Sequence, residues 1–90
     1  MRVNVIHLKY SGKDGNGLEN VLFATDSQIA TLVAMRNNPE RRLNFVKIGN
    51  TIFSPIDVVY IEAREREKYE LPRYFLDRVK KEGNYPLKIN

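Results

Sequence analysis

Polar and apolar residues alternate from the start of the chain. Asn4, Ile6, Leu8 and Tyr10 share one parity and Val3, Val5, His7 and Lys9 the other, so residues 2–10 read as a strand with some apolar cover on each face. The stretch Ser11-Gly12-Lys13-Asp14-Gly15-Asn16-Gly17 is almost pure turn chemistry, and Leu18 to Ala24 reads as a second strand. Residues 2–24 are therefore expected to form an antiparallel hairpin with a mobile tip. Thr25-Asp26-Ser27-Gln28 has the form of a capping box, in which the Thr25 hydroxyl accepts from the Gln28 backbone N–H while the Gln28 side chain reaches back. Ile29, Leu32, Val33 and Arg36 follow it at helical spacing. Asn37-Asn38-Pro39 stops the helix, because proline disfavours helical geometry at the preceding residue. A helix over 26–37 is the result.

Leu43 to Ile48 and Thr51 to Phe53 flank Gly49-Asn50, a two-residue loop suited to a tight hairpin. Ser54-Pro55-Ile56-Asp57 reads as one helical turn or a bend, with Ser54 capping and Pro55 at the first position. Val58 to Glu62 is rich in β-branched and aromatic residues and is expected at the centre of the sheet. Residues 63–70 fit either a strand end or a helix. A helix would set Arg64 against Lys68, so an extended end leading into a turn is preferred. From Leu71-Pro72 a second helix opens, with Phe75, Leu76 and Val79 as its apolar stripe and Gly83 at its C-terminal cap. Residues 84–90 either fray or add a short edge strand through Tyr85, Leu87 and Ile89.

The predicted order is β-β-α-β-β-β-α. That is an α+β fold with a single antiparallel sheet of about five strands, a mixed arrangement being left open, packed by two helices. Ninety residues make one domain, spanning 1–90. Leu, Ile, Val and Phe number 27 of the 90, about 30% and well above the roughly 20% below which a chain tends to stay disordered.

The chain has no cysteine, which excludes disulfides, thiolate metal sites and cysteine nucleophiles. It has no apolar run approaching the roughly 18 residues of a membrane span, and its first residues lack the continuous apolar stretch of a signal peptide. A cytoplasmic location without membrane contact is expected. The net charge of +4 suits a polyanionic partner without requiring one, and the excess is spread thinly along the chain.

Candidate chemistry is sparse. His7 is the single histidine, and nothing in the sequence specifies a nucleophile or orienting carboxylate beside it. The glycine-rich segment lacks P-loop spacing and leads into a strand, not a helix N-terminus. Read as a calcium loop beginning at Asp14, it places Leu18 and Thr25 where ligands are needed. Glu62, Glu65, Glu67 and Glu70 interleave with Arg64, Arg66 and Lys68, as on a solvated charged face. No catalytic residue, metal site or cofactor is assigned, and a non-enzymatic role is expected.

The C-terminal third carries the best binding surface. Arg64, Arg66, Lys68, Arg73, Arg78, Lys80 and Lys81 are cationic, and Tyr69 and Tyr74 lie among them. Arg and Tyr are common at the energetic centres of protein interfaces, so a protein partner is the leading expectation. The same residues could neutralise phosphates and stack on bases, which makes nucleic acid the alternative. Six acids in residues 62–82 leave that segment a net charge of only +1. A free sheet edge could also pair two copies into a homodimer.

The run from Phe45 through Lys47-Ile48-Gly49-Asn50-Thr51-Ile52-Phe53 to Tyr60-Ile61-Glu62 resembles a layout seen in small proteins of phages and mobile elements of Gram-positive bacteria. There a hairpin with an "IGNTIF" type of turn leads into a strand ending "YIE". The resemblance covers about a fifth of the chain and involves structural positions. It implies an accessory protein that binds host or phage machinery, and it transfers no functional residue.

Overall fold

The computed structural model describes residues 1–9 and 20–83. Its organising element is strand β1 (Arg2–Leu8), in which six successive residues, from Val3 to Leu8, are buried. A strand buried on both faces must lie inside a sheet with cover above and below. Accordingly β1 pairs antiparallel with β2 (Asn20–Ala24) on one side and β5 (Val58–Glu65) on the other, in the order β2-β1-β5. Strands β3 (Val46–Ile48) and β4 (Thr51–Phe53) form a separate two-stranded ladder. The element order β-β-α-β-β-β-α and the antiparallel pairing agree with the α+β reading, the five strands standing as three plus two. The expectation that Val58–Glu62 sits at the centre is corrected: among the described residues β1 holds that place and β5 is an edge. Both strands are apolar enough to read as central, and only pairing tells them apart. The expected hairpin tip and the tail beyond Gly83 lie outside the described residues.

The two faces of β1 feed two apolar clusters. Ile6 and Leu8, with Leu22 and Ala24 of β2, pack against Leu32 of helix α1 (Asp26–Arg36) and against Ile48 and Phe53 of the β3–β4 hairpin. On the opposite face Val3 and Val5 pack against Leu71 and Phe75, the latter on helix α2 (Arg73–Glu82). The sheet is thus a middle layer, with α1 and the hairpin on one side and α2 on the other.

Local signals set the element ends. The Thr25–Gln28 capping box is formed, with the Thr25 N–H donating to Gln28 Oε1 at 2.9 Å. The Gly49-Asn50 turn has positive φ at Gly49 alone, +62°, as in a hairpin turn whose first central residue must be glycine. Gly83 closes α2 in the left-handed conformation. Residues 63–70 divide as the sequence favours: β5 continues to Glu65, and a 3-10 turn follows at Lys68–Glu70. At the earlier 3-10 turn, Pro55–Asp57, the Ser54 hydroxyl donates to the Arg42 carbonyl at 2.9 Å instead of capping. The Asp57 carboxylate accepts the Ser54 N–H in its place.

Candidate interaction surface

The two edges of the three-stranded sheet are finished differently. Met1 and Arg66 exchange both hydrogen bonds, Met1 N to Arg66 O at 2.9 Å and Arg66 N to Met1 O at 2.9 Å. Bonded and non-bonded pairs alternate in an antiparallel ladder. Counting from Met1–Arg66, the pairs Val3–Arg64, Val5–Glu62 and His7–Tyr60 turn their peptide groups towards each other. The peptide groups of Ile61, Ala63 and Glu65 consequently point away from the sheet. By the same alternation, the Phe23 N–H on β2 faces outward, and there the Tyr74 hydroxyl accepts it at 3.0 Å. Helix α2 therefore closes part of the β2 edge. The β5 edge carries no ladder among the described residues.

A bulge sits at the start of that open edge. Tyr60 lies opposite His7 and Val58 opposite Leu8, so Val59 has no counterpart on β1. Val59 is 54% exposed and Tyr60 47%. The edge thus presents apolar side chains beside outward-facing peptide groups.

One face of β5 carries a charged cluster. His7 Nε2 lies 2.6 Å from Glu62 Oε2, and Arg64 Nη2 donates to the same oxygen at 2.9 Å. The His7 ring stacks on Tyr60, with centroids 4.0 Å apart. Arg64, and then His7, hold the Glu62 carboxyl below its ordinary value of 4.5. The sequence reading of Glu62 as part of a freely solvated face, and of His7 as lacking a carboxylate, is corrected here. Residues 7 and 62 are far apart in sequence, and only the β1–β5 register makes them neighbours.

The surface expected over residues 64–81 is split by the fold. Arg64 lies on the face of β5 with Glu62. Arg66 sits at the strand end beside the amino terminus, donating to the Glu65 carbonyl at 3.0 Å. Lys68 and Tyr69 stand on the following 3-10 turn, with Tyr69 86% exposed. Arg73, Lys80 and Lys81 share the outer face of α2 with Asp77, which lies 3.8 Å from Arg73. Tyr74 and Arg78 turn inward. The Tyr74 ring lies against Gly49, and Arg78 Nε donates to Glu82 at 2.6 Å. Glu82 also accepts from the Thr25 and Ser27 hydroxyls, each at 2.7 Å, tying the end of α2 to the start of α1. Tyr74 and Arg78 thus hold the layers together, and amphipathic spacing alone could not separate them from their outward neighbours.

Sequence reasoning missed two exposed apolar groups on the β3–β4 hairpin. Ile52, 64% exposed, and Phe45, 76% exposed, fall on its outward side by strand alternation, with Lys47 opposite Ile52. The inner positions Ile48 and Phe53 are buried. The alternation of Phe45, Lys47 against Val46, Ile48 was the available signal.

These features define a small α+β protein in which, among the described residues, the β5 edge carries no ladder and exposed apolar residues lie beside it. Comparison with protein-family models, with curated proteins and with solved structures finds no match. No helix among the described residues is long and apolar enough to cross a membrane.

Proposed function

We propose that the protein is a non-enzymatic binding module that docks an extended polypeptide strand along the outer edge of β5. The observation that carries this reading is the row of outward peptide groups at Ile61, Ala63 and Glu65 beside exposed Val59 and Tyr60. An added strand gains main-chain hydrogen bonds along such an edge, while side chains of alternate residues set its selectivity. Arg64, on β5, and Arg66, just past its end, belong to the surface anticipated in the sequence. The arrangement of His7 favours a structural role over a catalytic one, since the ring is 6% exposed, stacked on Tyr60 and bonded to Glu62. An accessory role of the kind implied by the resemblance of residues 45–62 accords with this reading.

The test is Ala63→Pro. The Ala63 N–H points away from β1, so proline there removes a donor from the free edge while leaving the β1–β5 bonds in place. A protein partner retained by the wild-type chain after nuclease treatment should be lost by this variant, with far-UV circular dichroism unchanged. Equal retention by both would overturn the reading. Nucleic acid is the second reading, favoured by Arg73, Lys80 and Lys81 on the outer face of α2. It requires binding that weakens steeply with salt and falls when those three cations are neutralised.

A further inference from the structure

We infer that the strand received by β5 is the β5 of a second copy, paired antiparallel about a two-fold axis at Ala63. The inference rests on the edge-docking reading above and names its partner. Peptide groups of Ile61, Ala63 and Glu65 face outward, so two β5 edges can bond only in registers that set these odd-numbered residues against one another. The side chains then select among those registers.

Glu62 and Arg64 flank Ala63 on one face of the strand and already contact one another at 2.9 Å. A two-fold axis at Glu62 would set that carboxylate against its own copy, and an axis at Arg64 would do the same with two guanidinium groups. Like charges directly opposite one another destabilise a ladder. An axis at Ile61 would place Glu62 opposite Tyr60 and leave the charges unmatched. With the axis at Ala63, Glu62 of each copy lies opposite Arg64 of the other, twice over. Tyr60 then faces Arg66, a pairing suited to a cation over an aromatic ring. The smallest side chain of the stretch occupies the axis, and Arg64 and Arg66 acquire a role the isolated chain does not show. The product is a continuous sheet of six strands, closed by symmetry because, among the described residues, each β5 has a single free edge.

Sedimentation velocity across a concentration series tests this, beginning with the wild-type chain. The mass should rise from 10.5 kDa towards twice that value. Glu62→Arg alone and Arg64→Glu alone place like charges across the axis, and each should weaken self-association at least about tenfold. An equimolar mixture of the two variants restores opposite charges at both contacts and should form a heterodimer.

Cysteine cross-linking supplies a second measurement that does not disturb Glu62. The chain has no cysteine, so Ala63→Cys introduces a single thiol. Hydrogen-bonded antiparallel residues have Cα atoms about 5.5 Å apart, within reach of a disulfide. Ala63→Cys should therefore oxidise to a covalent dimer, whereas Glu65→Cys, opposite Ile61 of the other copy, should not. A wild-type mass of 10.5 kDa at every concentration, or equal cross-linking at both positions, overturns the dimer. If Ala63→Pro nevertheless abolishes capture of a different protein, the edge-docking reading stands without self-pairing. If Ala63→Pro alters neither, both fall.

Discussion

The Tyr74 hydroxyl meets the Phe23 backbone N–H at 3.0 Å, joining helix α2 to the outer edge of β2. The same ring lies against Gly49, where an added Cβ would come within 3.0 Å of ring carbons. One side chain therefore covers part of a sheet edge and lies against the β3–β4 turn. The opposite edge, at β5, carries no ladder among the described residues.

Removing the hydroxyl in Tyr74→Phe leaves the Phe23 N–H without that acceptor, and should lower stability by about 1–2 kcal/mol. Gly49→Ala should be at least as damaging, combining positive φ at +62° with the contact to the ring. Urea denaturation of both variants checks the pair. Their effects should fall short of full additivity, because both disturb the seat of one side chain, Tyr74, at its hydroxyl and at its ring.

Burial raises the Tyr74 hydroxyl above its ordinary value of 10.0, with the Phe23 N–H acting in the opposite sense. A group with a raised pKa in the folded state stabilises the fold below its unfolded value, and that contribution is lost as pH rises through the folded value. Stability should therefore fall above about pH 10 in the wild-type protein and less steeply in Tyr74→Phe. Alkaline unfolding followed by circular dichroism gives the measurement.

Glu82 behaves in the opposite sense. Burial by itself would raise its carboxyl, but bonds from Arg78, Ser27 and Thr25 outweigh it and lower the group below 4.5. Stability from this group is present above the unfolded value and is lost as pH falls through the folded one. Glu82→Gln should cost about 1–2 kcal/mol at neutral pH and flatten the acid limb of the stability profile. Thr25→Ala removes a helix cap worth about 1 kcal/mol. It should couple to Glu82→Gln in a double-mutant cycle, since the two groups touch at 2.7 Å.

Phe75 is completely buried between α2 and the Val3–Val5 face of the sheet. Phe75→Ala should destabilise the fold by about 3–5 kcal/mol, read as a lower urea midpoint. By contrast Tyr69→Ala, at an 86% exposed side chain, should leave the midpoint nearly unchanged.

The legible parts were those written in short stretches of chain. Thr25 and Gln28 cap α1 because a hydroxyl and an amide three residues apart can satisfy each other's backbone groups. Gly49 and Gly83 fall at turns because both need positive φ. The apolar parity of residues 45–53 was equally plain, although the outward Phe45 and Ile52 were not read from it. For the candidate site, the sequence singled out residues 64–81 but could not sort Tyr74 and Arg78 from Arg73, Lys80 and Lys81. Aromatic and cationic side chains at neighbouring helical positions look alike until the helix has a neighbour.

By itself, the sequence determined the element order, the caps and the turns, each governed by interactions spanning only a few residues. Only the tertiary structure decided that β1 lies between β2 and β5, that His7 meets Glu62, and that α2 closes part of the β2 edge while β5 carries no outer ladder among the described residues. These depend on which distant segments pair and in what register, a choice set by the joint burial of both faces of β1 and by no local signal.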